Sequence, residues 1–250
     1  MRRSRPFGLF VICGLAVACI SSEAIAGPLS LRDLLQGGRH RPEQNNPADP
    51  PVGVYVPDAG SPFIFDRSSS PPLLRFLGSG EIWVLQAVPA PRGDTIYKND
   101  LGEPMLRATG LGGLTLFTVS SPGGVAASLQ GEAEPIHPSA VLSPSALLQR
   151  LAQASARSSH ALQRLVVFDA PDVTPETAYL VADSAEITAE AINSLTKKAR
   201  DGLKLNRVLF EPGHTAAAKY SDGTLRITVA PNKGVAGRPS SRRISVVMFR

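Results

Sequence analysis

The chain has 250 residues, with 26 Lys and Arg against 21 Asp and Glu, two Cys, one Trp, 22 Gly and 22 Pro. That length suffices for one or two domains with a real hydrophobic core. A hydrophobic share of 43% with 19% charged residues excludes a disordered acidic chain and a polytopic membrane protein, and two cysteines exclude a disulfide-rich scaffold or a multi-cysteine metal site.

Residues 1–26 read as an export signal. Arg2, Arg3 and Arg5 precede an apolar run from Phe7 to Ile20, and Ala24-Ile25-Ala26 puts small residues at the −3 and −1 positions. Signal peptidase requires this pattern, and cleavage is predicted after Ala26. At 14 residues, the run is too short to span a hydrocarbon core of roughly 30 Å. A competing reading lies inside the same segment. Leu15-Ala16-Val17-Ala18-Cys19 resembles a bacterial lipobox, which would leave the protein lipid-anchored through an acylated Cys19, although Ala16 fits that motif poorly. Removing residues 1–26 takes away both Cys13 and Cys19. The remainder has no thiol for catalysis, disulfides or metal binding, which is compatible with a periplasmic or secreted location.

Two regions of different composition follow. Residues 27–138 hold 15 Pro and 15 Gly, whereas the equally long 139–250 hold 6 Pro and 5 Gly. A short helix is expected over Leu29–Gln36, stopped by Gly37-Gly38, and residues up to 51 read as a Pro/Asn-rich tether. From Val52 the pattern becomes short strands between turn signals. They are predicted near Val52–Val56, Phe63–Asp66, Leu73–Leu77, Glu81–Val88, Thr95–Lys98, Met105–Ala108 and Leu114–Val119. Asn99-Asp100-Leu101-Gly102 is a hairpin-turn signal, and Trp83 reads as a core anchor. Residues 52–119 are therefore expected to be an all-β meander or small barrel, with 120–139 as a linker.

After the linker the period becomes helical. Ser143-Pro144 caps a helix that carries Leu147, Leu151 and Ala154, with a break expected near Ser158-Ser159. Leu165–Phe168 is a buried-strand candidate. Thr174-Pro175 opens a second helix, expected to run to about Arg200 on an apolar stripe of Val181, Ala185, Thr188, Ile192 and Leu195. Strands are predicted at Arg207–Phe210, Ala216–Ser221, Thr224–Val229 and Ile244–Phe249. The fold class expected is α+β: the β module, then residues 140–250 as a two-layer module of two helices on a mostly antiparallel sheet.

Two stretches carry a resemblance: Leu73 to Phe117, including PRGDTIYKNDLGEPMLRATGLGGLTLF, and Leu147 to Pro175, including QRLAQASARSSHALQRLVVFDAPDVTP. They are similar to an uncharacterised family of secreted alphaproteobacterial proteins, a domain of unknown function, over most of residues 52–250. The resemblance implies a bacterial envelope location and two linked modules. It implies no catalytic residue.

Candidate chemistry is sparse. Val166 to Thr174 resembles the opening of a haloacid-dehalogenase phosphatase, with Asp169 as nucleophile. However, Asp172 stands three places on rather than two, behind Pro171, and no later acidic cluster suggests a magnesium site. Ser194-Leu195-Thr196-Lys197 matches S-x-x-K, but Ser194 falls at the end of its helix instead of the start, where N–H groups would assist a nucleophile. A hydrolase using Asp169 and Asp172, or Ser194, is the rival reading. His40, His137, His160 and His214 are scattered, with no ligand spacing. Asp94, Asn99, Asp100 and Glu103 make an oxygen-rich hairpin tip whose spacing is not that of a calcium loop.

Charge distribution is more informative. No acidic residue follows Asp222, yet Arg226, Lys233, Arg238, Arg242, Arg243 and Arg250 do. Such asymmetry suits contact with an anionic partner such as lipid headgroups, lipopolysaccharide or an envelope protein, with Arg238, Arg242 and Arg243 as candidate anion-binding residues. Edge protection of a terminal strand explains the same charges equally well. The expectation is an exported, non-enzymatic binding or scaffolding protein. It needs no cofactor or metal, contacts no nucleic acid, and has no transmembrane span once the signal is removed.

Overall fold

The structure, a computed structural model, describes residues 49–137 and 142–249. The expected export signal with Ala26 and Cys19, the helix over Leu29–Gln36, His40 and most of the tether lie outside the described residues.

Nine strands come first: β1 (Gly53–Pro57), β2 (Phe63–Asp66), β3 (Leu73–Phe76), β4 (Trp83–Val84), β5 (Gln86–Pro89), β6 (Thr95–Lys98), β7 (Pro104–Ala108), β8 (Leu114–Leu116) and β9 (Val125–Glu132). They pair antiparallel in the order β4-β3-β2-β1-β9-β8-β7-β6-β5. The two outer strands, β4 and β5, are successive pieces of one chain parted by Leu85. The sheet therefore nearly closes on itself as a small barrel. Leu85 is buried and its N–H donates to the Pro72 carbonyl at 2.9 Å. That kink splits the single strand expected over Glu81–Val88.

The expected linker 120–139 needs correction, because Val125–Glu132 is a strand within it. β9 pairs with β1 on one side and β8 on the other, so it completes the sheet. Its alternation is faint, since residues such as Ala126, Ala127, Ser128 and Gly131 bury little apolar surface.

Inside the barrel, Tyr55, Phe63, Phe65, Leu74, Leu85, Tyr97, Leu106 and Leu116 form one apolar cluster. Phe65 meets Tyr97 edge to face at 4.9 Å between ring centres, a favoured aromatic geometry. All four residues of β2 are buried. Ile64 on the outer face packs with Leu73, Ile82, Ile136 and the half-buried Val235, forming a second cluster where the rest of the molecule covers the barrel.

The other half contains α1 (Pro144–Leu162), β10 (Val167–Asp169), α2 (Pro175–Ser194), α3 (Lys197–Gly202), β11 (Arg207–Pro212), β12 (Ala217–Ser221), β13 (Thr224–Val229) and α4 (Ser241–Val247). α1 starts where the cap signal put it: Ser143 Oγ accepts the Ala146 N–H at 3.2 Å. It runs unbroken through Ser158-Ser159. Ser159 instead accepts the Val166 N–H at 2.9 Å, and Ser155 donates to the Val166 carbonyl at 2.6 Å, pinning the return into β10. α2 opens at Thr174 and buries thirteen residues, far more than one stripe, because α1, the small sheet and the loop before Arg238 surround it. It stops at Ser194 rather than near Arg200. Thr196 takes an extended conformation and caps a separate helix, α3, accepting the Ala199 N–H.

The α+β class and the β-meander hold. Within the small sheet the pairing differs from the mostly antiparallel arrangement expected. Its order is β10-β11-β13-β12, with β10–β11 and β11–β13 parallel and β12–β13 antiparallel. The physical cause is the α2–α3 crossover, which brings β11 beside β10 in the same direction. The strand expected at Ile244–Phe249 is also corrected, to helix α4. Ser240 Oγ accepts the Arg243 N–H at 3.1 Å, and Ile244 in the helix and Met248 just past its end, four apart, are buried. Four-residue spacing against a packed surface overrides the strand preference of Ile244, Val246 and Val247. Among the described residues, no helix is long and apolar enough to cross a membrane.

Candidate functional site

The acid-free basic segment Arg238–Arg243 lies across the barrel. It follows a loop pinched at its base, where the Ala230 N–H donates to the Gly237 carbonyl at 2.7 Å. A Cβ at Gly237 would stand 2.1 Å from the Ala230 oxygen, so the close approach requires glycine. Arg238 is 5% exposed. It donates from Nε to Asp183 of α2 and from Nη2 to the Ile82 carbonyl at 2.9 Å, while Nη1 lies 3.9 Å from Glu81.

The next residues repeat the pattern. Ser240 donates its N–H and Oγ to Asp100 at 3.1 and 2.6 Å, and Ser241 donates the same two groups to Glu81 at 2.8 and 2.6 Å. Arg242 forks onto Glu103, with Nη2 to Oε1 at 3.0 Å and Nε to Oε2 at 3.1 Å. Arg243 Nε donates to the Asp100 carboxylate at 2.8 Å. Five residues in a row but for Pro239 thus clasp three barrel carboxylates and the Ile82 and Asp100 carbonyls. The structure places Arg238, Arg242 and Arg243 here, each bonded to a carboxylate of its own chain, instead of on an open anion-binding face.

The partners are the second feature singled out in the sequence, the oxygen-rich tip between β6 and β7. Asn99 Oδ1 accepts the Leu101 and Glu103 N–H groups, both at 3.0 Å, and so shapes the turn. Asp100 and Glu103 then receive arginines, whereas Asp94 stands apart with Arg107 and the Gly110 N–H. The Arg242 guanidinium holds the Glu103 carboxyl below its ordinary range. Burial has the opposite effect on Glu81, pushing its pKa up to about 7 despite the bonds from Ser241 and the nearby Arg238. Glu81 was not a sequence candidate. The visible signal was complementarity alone: a basic segment without acids and an acidic hairpin tip in the same chain.

Beside the clasp, an apolar cleft of about 470 Å³ opens at the mouth of the barrel. Phe76, Trp83, Met105, Phe117 and Val119 form its walls, and the Glu103–Arg242 pair stands at its edge. Trp83 is half-buried against the interior cluster, so it anchors the core as expected and also presents a face to the cleft. Volume, apolar walls and a small number of convergent polar groups are the attributes of a small-molecule site.

The residues of the rival hydrolase reading do not converge. Asp169 closes β10 and pairs with Arg207 at a solvent-facing position. Asp172 is exposed in the turn before α2. Ser194 is exposed as the last residue of α2, and its hydroxyl donates to the Ala191 carbonyl at 2.8 Å. Among the described residues, no group of three or more His, Cys, Asp and Glu is arranged to hold a metal ion.

Fold and site define an α+β protein in which a nearly closed antiparallel barrel is clasped to a half with a mixed sheet, and an apolar cleft opens beside the clasp. The chain belongs to a family described as a domain of unknown function, DUF4908, whose model matches residues 30–248. No curated protein and no solved structure matches it.

Proposed function

We propose that this chain is an exported protein of the bacterial envelope that acts by binding rather than catalysis, and that it takes a small apolar ligand in the cleft at the barrel mouth. The cleft carries this reading: aromatic walls from Phe76, Trp83 and Phe117 around about 470 Å³, a size typical of ligand pockets. Export is supported by the basic, apolar and small-residue pattern of residues 1–26. The arginines do not enter the binding step directly. They hold the Glu103 edge of the cleft in place.

Trp83 is the chain's single tryptophan, so its emission reports on the cleft without interference. Titration with a small apolar probe such as anilinonaphthalene sulfonate is expected to shift and quench that emission saturably. Phe117→Ala, which removes one wall, is expected to weaken the probe about tenfold, in line with about 1.4 kcal/mol of lost aromatic contact. Unchanged Trp83 emission with saturating probe would overturn the reading. The mass of the purified exported protein tests its location: Gly27 as first residue is expected, and a diacylated Cys19 would replace that with a lipid anchor.

A further inference from the structure

Among the described residues, six lysines and five arginines (Arg75, Arg92, Arg157, Arg164 and Arg200) have no carboxylate partner. None of the chain's six lysines pairs with a carboxylate among the described residues, whereas eight arginines do. The division follows the chemistry: the guanidinium fork suits fixed pairs, and the strongly hydrated ammonium remains in water. The lysines are not evenly spread. Lys197, Lys198 and Lys204 fall within eight residues, together with Arg200, against the single acid Asp201.

Beneath two of them lies an apolar groove of about 560 Å³ between α3, β12 and the end of α4. Leu203 and Met248 make its buried floor, and Tyr220 and Phe249 its walls. Phe249 is 51% exposed and adds its ring to the apolar surface of the groove. Lys198 and Lys204, both exposed, line the same groove. Arg200 is held by the Asn193 carbonyl and does not close over it.

We propose that this groove is a docking surface for an anionic phospholipid bilayer. Lys198 and Lys204 contact headgroup phosphates, and the Phe249 ring inserts at the boundary between headgroups and acyl chains. Unpaired ammonium groups are attracted to a negative surface, and an exposed ring above an apolar floor loses water when it enters the interface. The groove and the barrel cleft share only α4, which brings Arg242 to the cleft and leads into Met248 and Phe249 at the groove, and no residue lines both, so the two sites are separable.

The test is co-sedimentation of the purified protein with vesicles of phosphatidylcholine alone or with phosphatidylglycerol added, at low and high salt. Binding is expected only with the anionic lipid and is expected to fall with salt. Lys198→Ala with Lys204→Ala is expected to weaken it at least tenfold. Phe249→Ser is expected to weaken it severalfold, with the salt dependence retained. Any leader that remained attached would be common to all variants, so the difference between variants isolates the groove. Hydrogen exchange with and without vesicles is expected to show protection at residues 196–204 and 244–249. Equal binding to both vesicle types, or binding unaffected by the lysine pair, would overturn the proposal. So would a monomer–dimer shift caused by Phe249→Ser without lipid, which would make a second copy the occupant. Probe binding at Trp83 is expected to be unchanged in these variants, so failure here leaves the cleft reading standing.

Discussion

Glu81 is 3% exposed and surrounded by charge. Arg238 is 3.9 Å away, Asp183 of α2 binds the same guanidinium, and Glu190 of α2 adds repulsion. Burial raises the Glu81 pKa to about 7, from an ordinary 4.5. The folded chain holds this proton more tightly than the unfolded chain does, so the linked stability is fully present below pH 4.5. It is lost as pH rises and is gone above about 7. The total is on the order of 3 kcal/mol. Glu81→Gln keeps an acceptor for the Ser241 N–H and abolishes the titration. Urea unfolding of both proteins across this range is expected to give a difference that steps downward for the native chain as pH increases. A pH-independent difference would remove Glu81 as the source. The Arg242–Glu103 pair, with 38% and 42% of its side chains exposed, is expected to contribute only about 1 kcal/mol or less.

At the scale of elements, α1 and α2 pack through small residues, and each buries a serine hydroxyl with no hydrogen-bond partner, at Ser158 and Ser184. A buried hydroxyl without a partner costs more than the methyl group that would replace it. Ser184→Ala is therefore expected to raise stability by about 1 kcal/mol, read as a higher urea midpoint with an unchanged slope. A lower midpoint would mean that the hydroxyl has a partner. The same elements show what could be read from sequence. The starts of α1 and α2 were legible because Ser143-Pro144 and Thr174-Pro175 act locally. Strand β13 was legible because alternation and flanking turn residues agree, and β2 and β6 because short runs of aromatic and β-branched residues stand between turn signals. β9 was not, since small residues give it little contrast between its faces. α4 was not, since its helical state depends on Glu81 and Asp100 receiving Ser241 and Ser240, residues more than a hundred positions away. The site was half legible for the same reason: both charged partners stood out, but their meeting is a property of the fold.

The described residues form two large cores, one inside the barrel and one between the helices and the small sheet, beside a smaller third cluster. Both belong to a single compact unit. Among the described residues, the small cluster around Ile64 and Ile136, the Ser79–Glu190 hydrogen bond and the clasp join the halves. Chains built this way open in cooperative pieces unless the junction is strong enough to couple them. The spectroscopy separates the pieces without labels: the single tryptophan, Trp83, lies in the barrel, while α1 to α4 all lie in the other half. In the native protein, urea transitions followed by Trp83 emission and by far-ultraviolet circular dichroism are expected to coincide. Asp100→Ala with Glu103→Ala removes the carboxylates that hold Ser240, Arg242 and Arg243. Both positions are on the surface, so neither core loses packing. The two transitions are then expected to separate, with the barrel and the helical half each retaining a cooperative step. Adding Glu81→Ala, which frees Ser241 as well, is expected to widen the gap. Coincident transitions in the double variant would assign the coupling to the apolar cluster and reduce the clasp to a local feature. Separated transitions would make the excess arginine of the last described residues the main tie between the two halves.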